Sequence, residues 1–66
     1  MSEEIGYAAG QVWGFLKSNG PATADQIRKG IRADSALTNQ ALGWLAREGK
    51  LRIDRSKRLT TFELIE

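Results

Sequence analysis

The chain has 66 residues, 41% of them hydrophobic and 27% charged, with a formal net charge of +2; a domain of that size buries only about 60% of its unfolded surface and has a thin stability margin. Cys and His are both 0, which excludes a disulfide framework, a thiolate metal site, and the commonest general base and zinc ligand. No apolar run approaches the roughly 18 residues that span a bilayer, and the opening Met1-Ser2-Glu3-Glu4 is acidic where a secretory signal is basic, so the expected setting is cytoplasmic, with no membrane partner.

The first predicted element is a helix from Glu3 to Ser18. Ile5, Ala8, Ala9, Val12, Trp13, Phe15 and Leu16 fall on one broad face at helical spacing. Glu3 and Glu4 in the first turn and Lys17 in the last complement the helix dipole. Asn19-Gly20-Pro21 stops the helix, since Gly or Asn accepts the left-handed C-terminal position and Pro cannot continue. Gly6, Gly10 and Gly14 stand four apart and form a ridge beside the apolar face. Each interior Gly costs a helix about 1 kcal/mol relative to Ala, so the ridge needs a reason. Close approach of another backbone supplies one. That backbone belongs either to another element of the same chain or to the same helix of a second subunit. In the second case Gly6, Tyr7, Gly10 and Gly14 are the expected homodimer contact, with Tyr7 as aromatic anchor.

The second helix is short. Thr23-Ala24-Asp25-Gln26 reads as a capping box. Ile27 and Ile31 give a narrow inward stripe, Arg28, Lys29 and Arg32 point away from it, and Gly30 sits near the end, leaving 31–34 as the turn. A third helix starts at Asp34 or Ser35, either of which can cap it, and runs to about Glu48 before Gly49. Thr38, Ala41, Leu42 and Leu45 define its inward face, with Leu37, Trp44 and Glu48 on the flanks. Asn39, Gln40, Gly43 and Arg47 face outward. Trp13 and Trp44 are expected in the core or at its edge.

From Lys50 the period falls to two. Leu51 and Ile53 alternate with Arg52 and Asp54, and Thr60, Phe62 and Leu64 alternate with Thr61, Glu63 and Ile65. The polar stretch 54–58 between them reads as a hairpin turn. Pro21-Ala22-Thr23 is extended by its proline and can add a very short third strand. Leu51, Ile53, Phe62 and Leu64 are placed to close the open side of a three-helix cluster.

Three helices followed by a hairpin predict an α+β, mainly α, fold: a single winged helix-turn-helix domain over 1–66, in which the hairpin is the wing. Ile5-Gly6, Ala9-Gly10, Val12-Trp13 and Leu16, followed by Ala41-Leu42-Gly43-Trp44-Leu45-Ala46-Arg47-Glu48-Gly49-Lys50-Leu51, resemble a family of small stand-alone winged helix proteins of bacteria and archaea that carry no assigned function. The similarity covers nearly the whole chain. It departs at Thr38, where the family carries a larger apolar residue, and in the Arg-rich hairpin turn. The resemblance implies the fold directly, and DNA binding only through the wider winged helix class.

Charge distribution adds a second line of inference. Residues 28–58 hold nine of the ten bases and three of the eight acids, a net +6, while the remainder carries −4. A basic side of this kind suits a polyanion. Along the third helix, Ser35, Asn39, Gln40 and Arg47 are candidate base and phosphate contacts, because a side-chain amide pairs with adenine and Arg with guanine or phosphate. Arg28, Lys29 and Arg32 on the second helix, and Arg55, Lys57 and Arg58 at the wing tip, are candidate phosphate contacts. No nucleophile, base or phosphate-binding Gly loop stands at a defensible spacing. The expectation is therefore a non-enzymatic domain with no cofactor or metal that binds double-stranded DNA, as a small transcriptional regulator or accessory factor. The alternative is a protein-interaction or dimerisation module, favoured by the low charge of the third helix.

Overall fold

The computed structural model describes residues 2–56 and 58–65, with backbone only at residues 2 and 3. Its elements run α1 (Ser2–Asn19), β1 (Ala22–Thr23), α2 (Ala24–Ile31), α3 (Ser35–Arg47), β2 (Leu51–Asp54) and β3 (Thr61–Leu64). Local chemistry sets most of the boundaries. Gly20 and Gly49, at φ 82° and 74°, take the left-handed conformation just past α1 and α3. Between α1 and α2 the capping box forms in full: Thr23 Oγ1 accepts from the Gln26 N–H at 3.1 Å, and Gln26 Oε1 accepts from the Thr23 N–H at 3.0 Å. Asp34 caps α3, its carboxylate accepting the Leu37 N–H at 2.7 Å. The turn between α2 and α3 begins at Arg32, which is left-handed at φ 60° and ψ 42°. A residue with a Cβ pays about 1–2 kcal/mol for that conformation.

The core is Ala8, Ala9, Val12 and Leu16 of α1, Ala22, Ile27 of α2, Ala41, Leu42 and Leu45 of α3, and Leu51 of β2. Four of these are alanines, and small side chains let the helices cross closely. Thr38, 1% exposed, sits on the same inward face. Its hydroxyl donates to the Asp34 carbonyl at 2.8 Å, so a polar residue occupies an apolar position without an unsatisfied group.

The strands form one antiparallel sheet in the order β1-β3-β2. Leu51 pairs with Leu64 and Ile53 with Phe62 on the helix side, while Arg52 pairs with Glu63 on the other. Ala22 of β1 lies opposite Phe62. The expected third strand is present, and the hairpin covers the cluster with one exception: Ile53, expected to close the core, is 39% exposed. It lies two pairs further along the hairpin than Leu51, on the edge strand of the sheet. Trp44 also departs from expectation. It is 42% exposed, because the flank of α3 that carries it borders an open cleft.

Two glycine observations correct the sequence reading. Among the described residues, nothing lies within 4 Å of a methyl built on Gly6, Gly10 or Gly14. The wing and α3 do not pack on that ridge, so the same-chain explanation for it fails. Gly30 is the opposite case. A methyl there would overlap the Phe15 ring, 2.6 Å from Cδ1 and 2.9 Å from Cζ and closer still to Cε1. Only glycine lets the α1 aromatic lie against α2.

Candidate functional site

The two helices of the helix-turn-helix meet at their N-terminal ends. In the first turn of α2, Asp25 accepts from Arg28 at 2.8 Å and pairs with Lys29 Nζ at 3.3 Å. The Arg28 hydrogen bond first, and that of Lys29 second, hold the Asp25 carboxyl below its ordinary value of 3.8. The N-terminal half of α3 faces Asp25 and Arg28 of this trio. Ala24, Asp25, Arg28, Ser35, Thr38 and Asn39 line one cleft. Three residues singled out from sequence, Arg28, Ser35 and Asn39, are thus brought together by the fold.

Gln40, Gly43 and Arg47 continue along the exposed face of α3, and Lys29 and Arg32 are exposed on α2 and its turn. Arg55 and Arg58 are exposed in the wing loop; Lys57 lies outside the described residues. At the start of that loop, Asp54 accepts from the Ser56 hydroxyl at 2.6 Å and from the Ser56 N–H at 2.9 Å. On the outer face of the sheet Arg52 pairs with Glu63 at 3.9 Å. Arg32, Arg47, Lys50, Arg55 and Arg58 make no ion pair among the described residues. Asp34 caps a helix and Asp54 ties down the start of the loop.

Sequence reasoning missed Asp25 as a member of this site. Its spacing of three and four from Arg28 and Lys29 on one helix face was the available signal. It also left Lys50 out. That residue lies at a second cleft, where Gly6, Gly10 and Trp13 of α1 face Trp44, Leu45 and Lys50. Lys17 Nζ, one turn along α1, lies 4.6 Å from the Trp13 ring centroid, a cation–π distance. Among the described residues no helix is long and apolar enough to cross a membrane.

No curated protein matches this chain. Similar solved structures include the following two. The solution NMR structure of protein BT2368 from Bacteroides thetaiotaomicron is 29% identical, with a TM-score of 0.87 over 97% of this chain and 79% of that one. The crystal structure of the Zalpha domain of PKZ from Carassius auratus, in complex with Z-DNA, is 23% identical, with a TM-score of 0.82 over 92% of this chain and 97% of that one. At that identity the second likeness speaks for the fold alone. Residues 1–64 match the family described as Winged helix-turn-helix domain (DUF2582), and the chain belongs to that family.

Proposed function

We propose that the domain binds double-stranded DNA, with the outward face of α3 in the major groove and the wing loop against the backbone. The observation that carries this reading is the cleft shared by Arg28, Ser35 and Asn39, continued by exposed Arg47, Arg55 and Arg58. Ser35, Asn39 and Gln40 supply neutral hydrogen-bonding groups for base edges. Arg28, Lys29, Arg32, Arg55, Lys57 and Arg58 supply charge for phosphates. Arg28 and Lys29 share Asp25, so their trio brings a net +1 to the duplex and the wing carries more of the electrostatic attraction. The Carassius auratus domain, solved with Z-DNA, supports a duplex as a partner suited to this fold. The role that follows is a small transcriptional regulator or accessory factor.

Titration of duplex DNA at several salt concentrations tests the proposal, with B-form and left-handed duplexes in parallel. Four to six phosphate contacts predict a slope of log K against log salt of about −4 to −5. Replacing Arg55, Lys57 and Arg58 together by Ala flattens it by about 2 to 3, with the fold intact. Absence of binding to either duplex at about 50 mM salt refutes the proposal.

A further inference from the structure

Gly10 is the centre of a pattern on α1 that reads alike in both directions. Tyr7 and Trp13 lie three residues to either side of it, Gly6 and Gly14 four, Glu3 and Lys17 seven. At 3.6 residues per turn, all seven positions fall within about a third of the helix circumference. Much of this side of α1 is exposed; Trp13, half-buried, carries Lys17 Nζ 4.6 Å from its ring centroid. Among the described residues nothing lies within 4 Å of a methyl built on Gly6, Gly10 or Gly14, Tyr7 is 71% exposed, and Trp44 stands 42% exposed across the adjoining cleft. Among the described residues the Tyr7 hydroxyl meets a long contact from Gln11, one turn on, at 3.4 Å.

A run of glycines does not by itself say what covers it. The aromatic and charged residues around this one do. Consider a second α1 laid antiparallel, with the two copies of Gly10 on a two-fold axis. Each residue then lies level with the one equally far from Gly10 in the other direction, and within about 1.5 Å of that residue's neighbour along the axis. A two-fold axis also keeps like flanks together. Trp13 shares a flank with Gly6, and Tyr7 shares the other with Gly14. Across the axis, Trp13 therefore meets Gly6 of the second copy and Tyr7 meets its Gly14, so each large ring stands over an absent side chain. Lys17 meets position 3, a glutamate, at both ends of the contact. Bulk is matched to space and charge to opposite charge by the helix's own sequence.

We propose that this side of α1, with the cleft against α3 beside it, binds α1 of a second copy of the chain and forms a two-fold dimer. The flank that carries Trp13 adjoins Trp44, so both copies of Trp44 are brought to the same side of the dimer and lose exposure there. The proposal does not rest on the DNA reading, since the contact uses none of the residues around the Arg28, Ser35 and Asn39 cleft.

Sedimentation of the chain from micromolar to millimolar concentration tests it. The wild type is expected to shift from monomer to dimer across that range. Gly10→Leu places a side chain on the axis and is expected to weaken dimerisation about 5- to 150-fold, the cost of overpacking expressed as affinity. Gly10→Ala, which meets nothing in its own chain, keeps the monomer folded by circular dichroism and weakens the dimer in the same direction. Lys17→Glu sets like charges together at both ends and weakens the dimer; adding Glu3→Lys restores it. A wild type that stays monomeric throughout overturns the proposal. So does a dimer indifferent to both Gly10 substitutions, or a charge reversal that the second reversal fails to rescue.

Discussion

Gly30→Ala and Gly43→Ala are the same substitution in two helices, and the structure assigns them opposite signs. Gly43 lies inside α3 with open space where a methyl would go. Alanine there gains helix propensity and restricts the unfolded chain, a stabilisation of up to about 1 kcal/mol. Gly30 is the penultimate residue of α2, so the propensity gain is smaller. Against it stands the Phe15 ring, 2.6 Å from the new methyl at Cδ1. Phe15 packs against the core, and the ring must swing out or α2 must move away from α1. Overpacking of that kind costs about 1–3 kcal/mol, leaving a net loss of about 1–2 kcal/mol. In a domain of 60–100 residues each kcal/mol moves Tm by about 4–8 °C. Thermal melts by circular dichroism are therefore expected to show Gly43→Ala above wild type by up to about 8 °C and Gly30→Ala below it by about 4–15 °C. A double-mutant cycle with Phe15→Leu recovers part of the Gly30→Ala loss, because the two sites share one contact. A Gly30→Ala protein that melts at or above wild type refutes the packing of Phe15 on α2.

Leu45, 5% exposed in the core, should cost about 2–5 kcal/mol when cut to Ala, a large share of the about 5–15 kcal/mol that holds a domain together; a urea midpoint unchanged from wild type contradicts the inward face assigned to α3. Arg32→Gly relieves a left-handed residue and should raise stability by about 0.5–1 kcal/mol by urea titration, while removing one phosphate contact and about 0.9 from the salt slope. Asp25→Asn frees Arg28 and Lys29 and is expected to tighten duplex binding at neutral pH. Because the Asp25 carboxyl is held below 3.8, its contribution to folding is present above the unfolded value and lost only as pH falls through the lowered one. The difference between variant and wild type should therefore persist down to pH 3.8 and close below it.

What was legible in the sequence was what local chemistry decides. Thr23 with Gln26, Asp34, Gly20 and Gly49 mark helix ends by hydrogen bonds and backbone conformations that involve a few neighbouring residues. Alternation in 51–54 and 61–64 fixes which side chains share a face of the hairpin. It does not fix how far the helices extend over that face, and so Ile53 was expected inside and lies partly out. Trp44 fails for the same reason: a flank position is buried only if another element reaches it. The Gly30 and Phe15 contact joins two helices that no local pattern relates. At the site, the outward set on α3 followed from helix period alone, since Asn39, Gln40, Gly43 and Arg47 are all exposed. The meeting of Arg28 with Ser35 and Asn39 required the turn at Arg32 to set one helix against the other.

The most direct test of the account is an amide chemical-shift titration of the labelled chain with duplex DNA at low salt. Shifts confined to α2 and the turn at Arg32, to Ser35, Asn39, Gln40 and Arg47, and to the wing loop 55–58, with α1 from Gly6 to Gly14 unmoved, are the predicted result. Shifts centred on Gly6, Gly10 and Trp13, or none anywhere, contradict it.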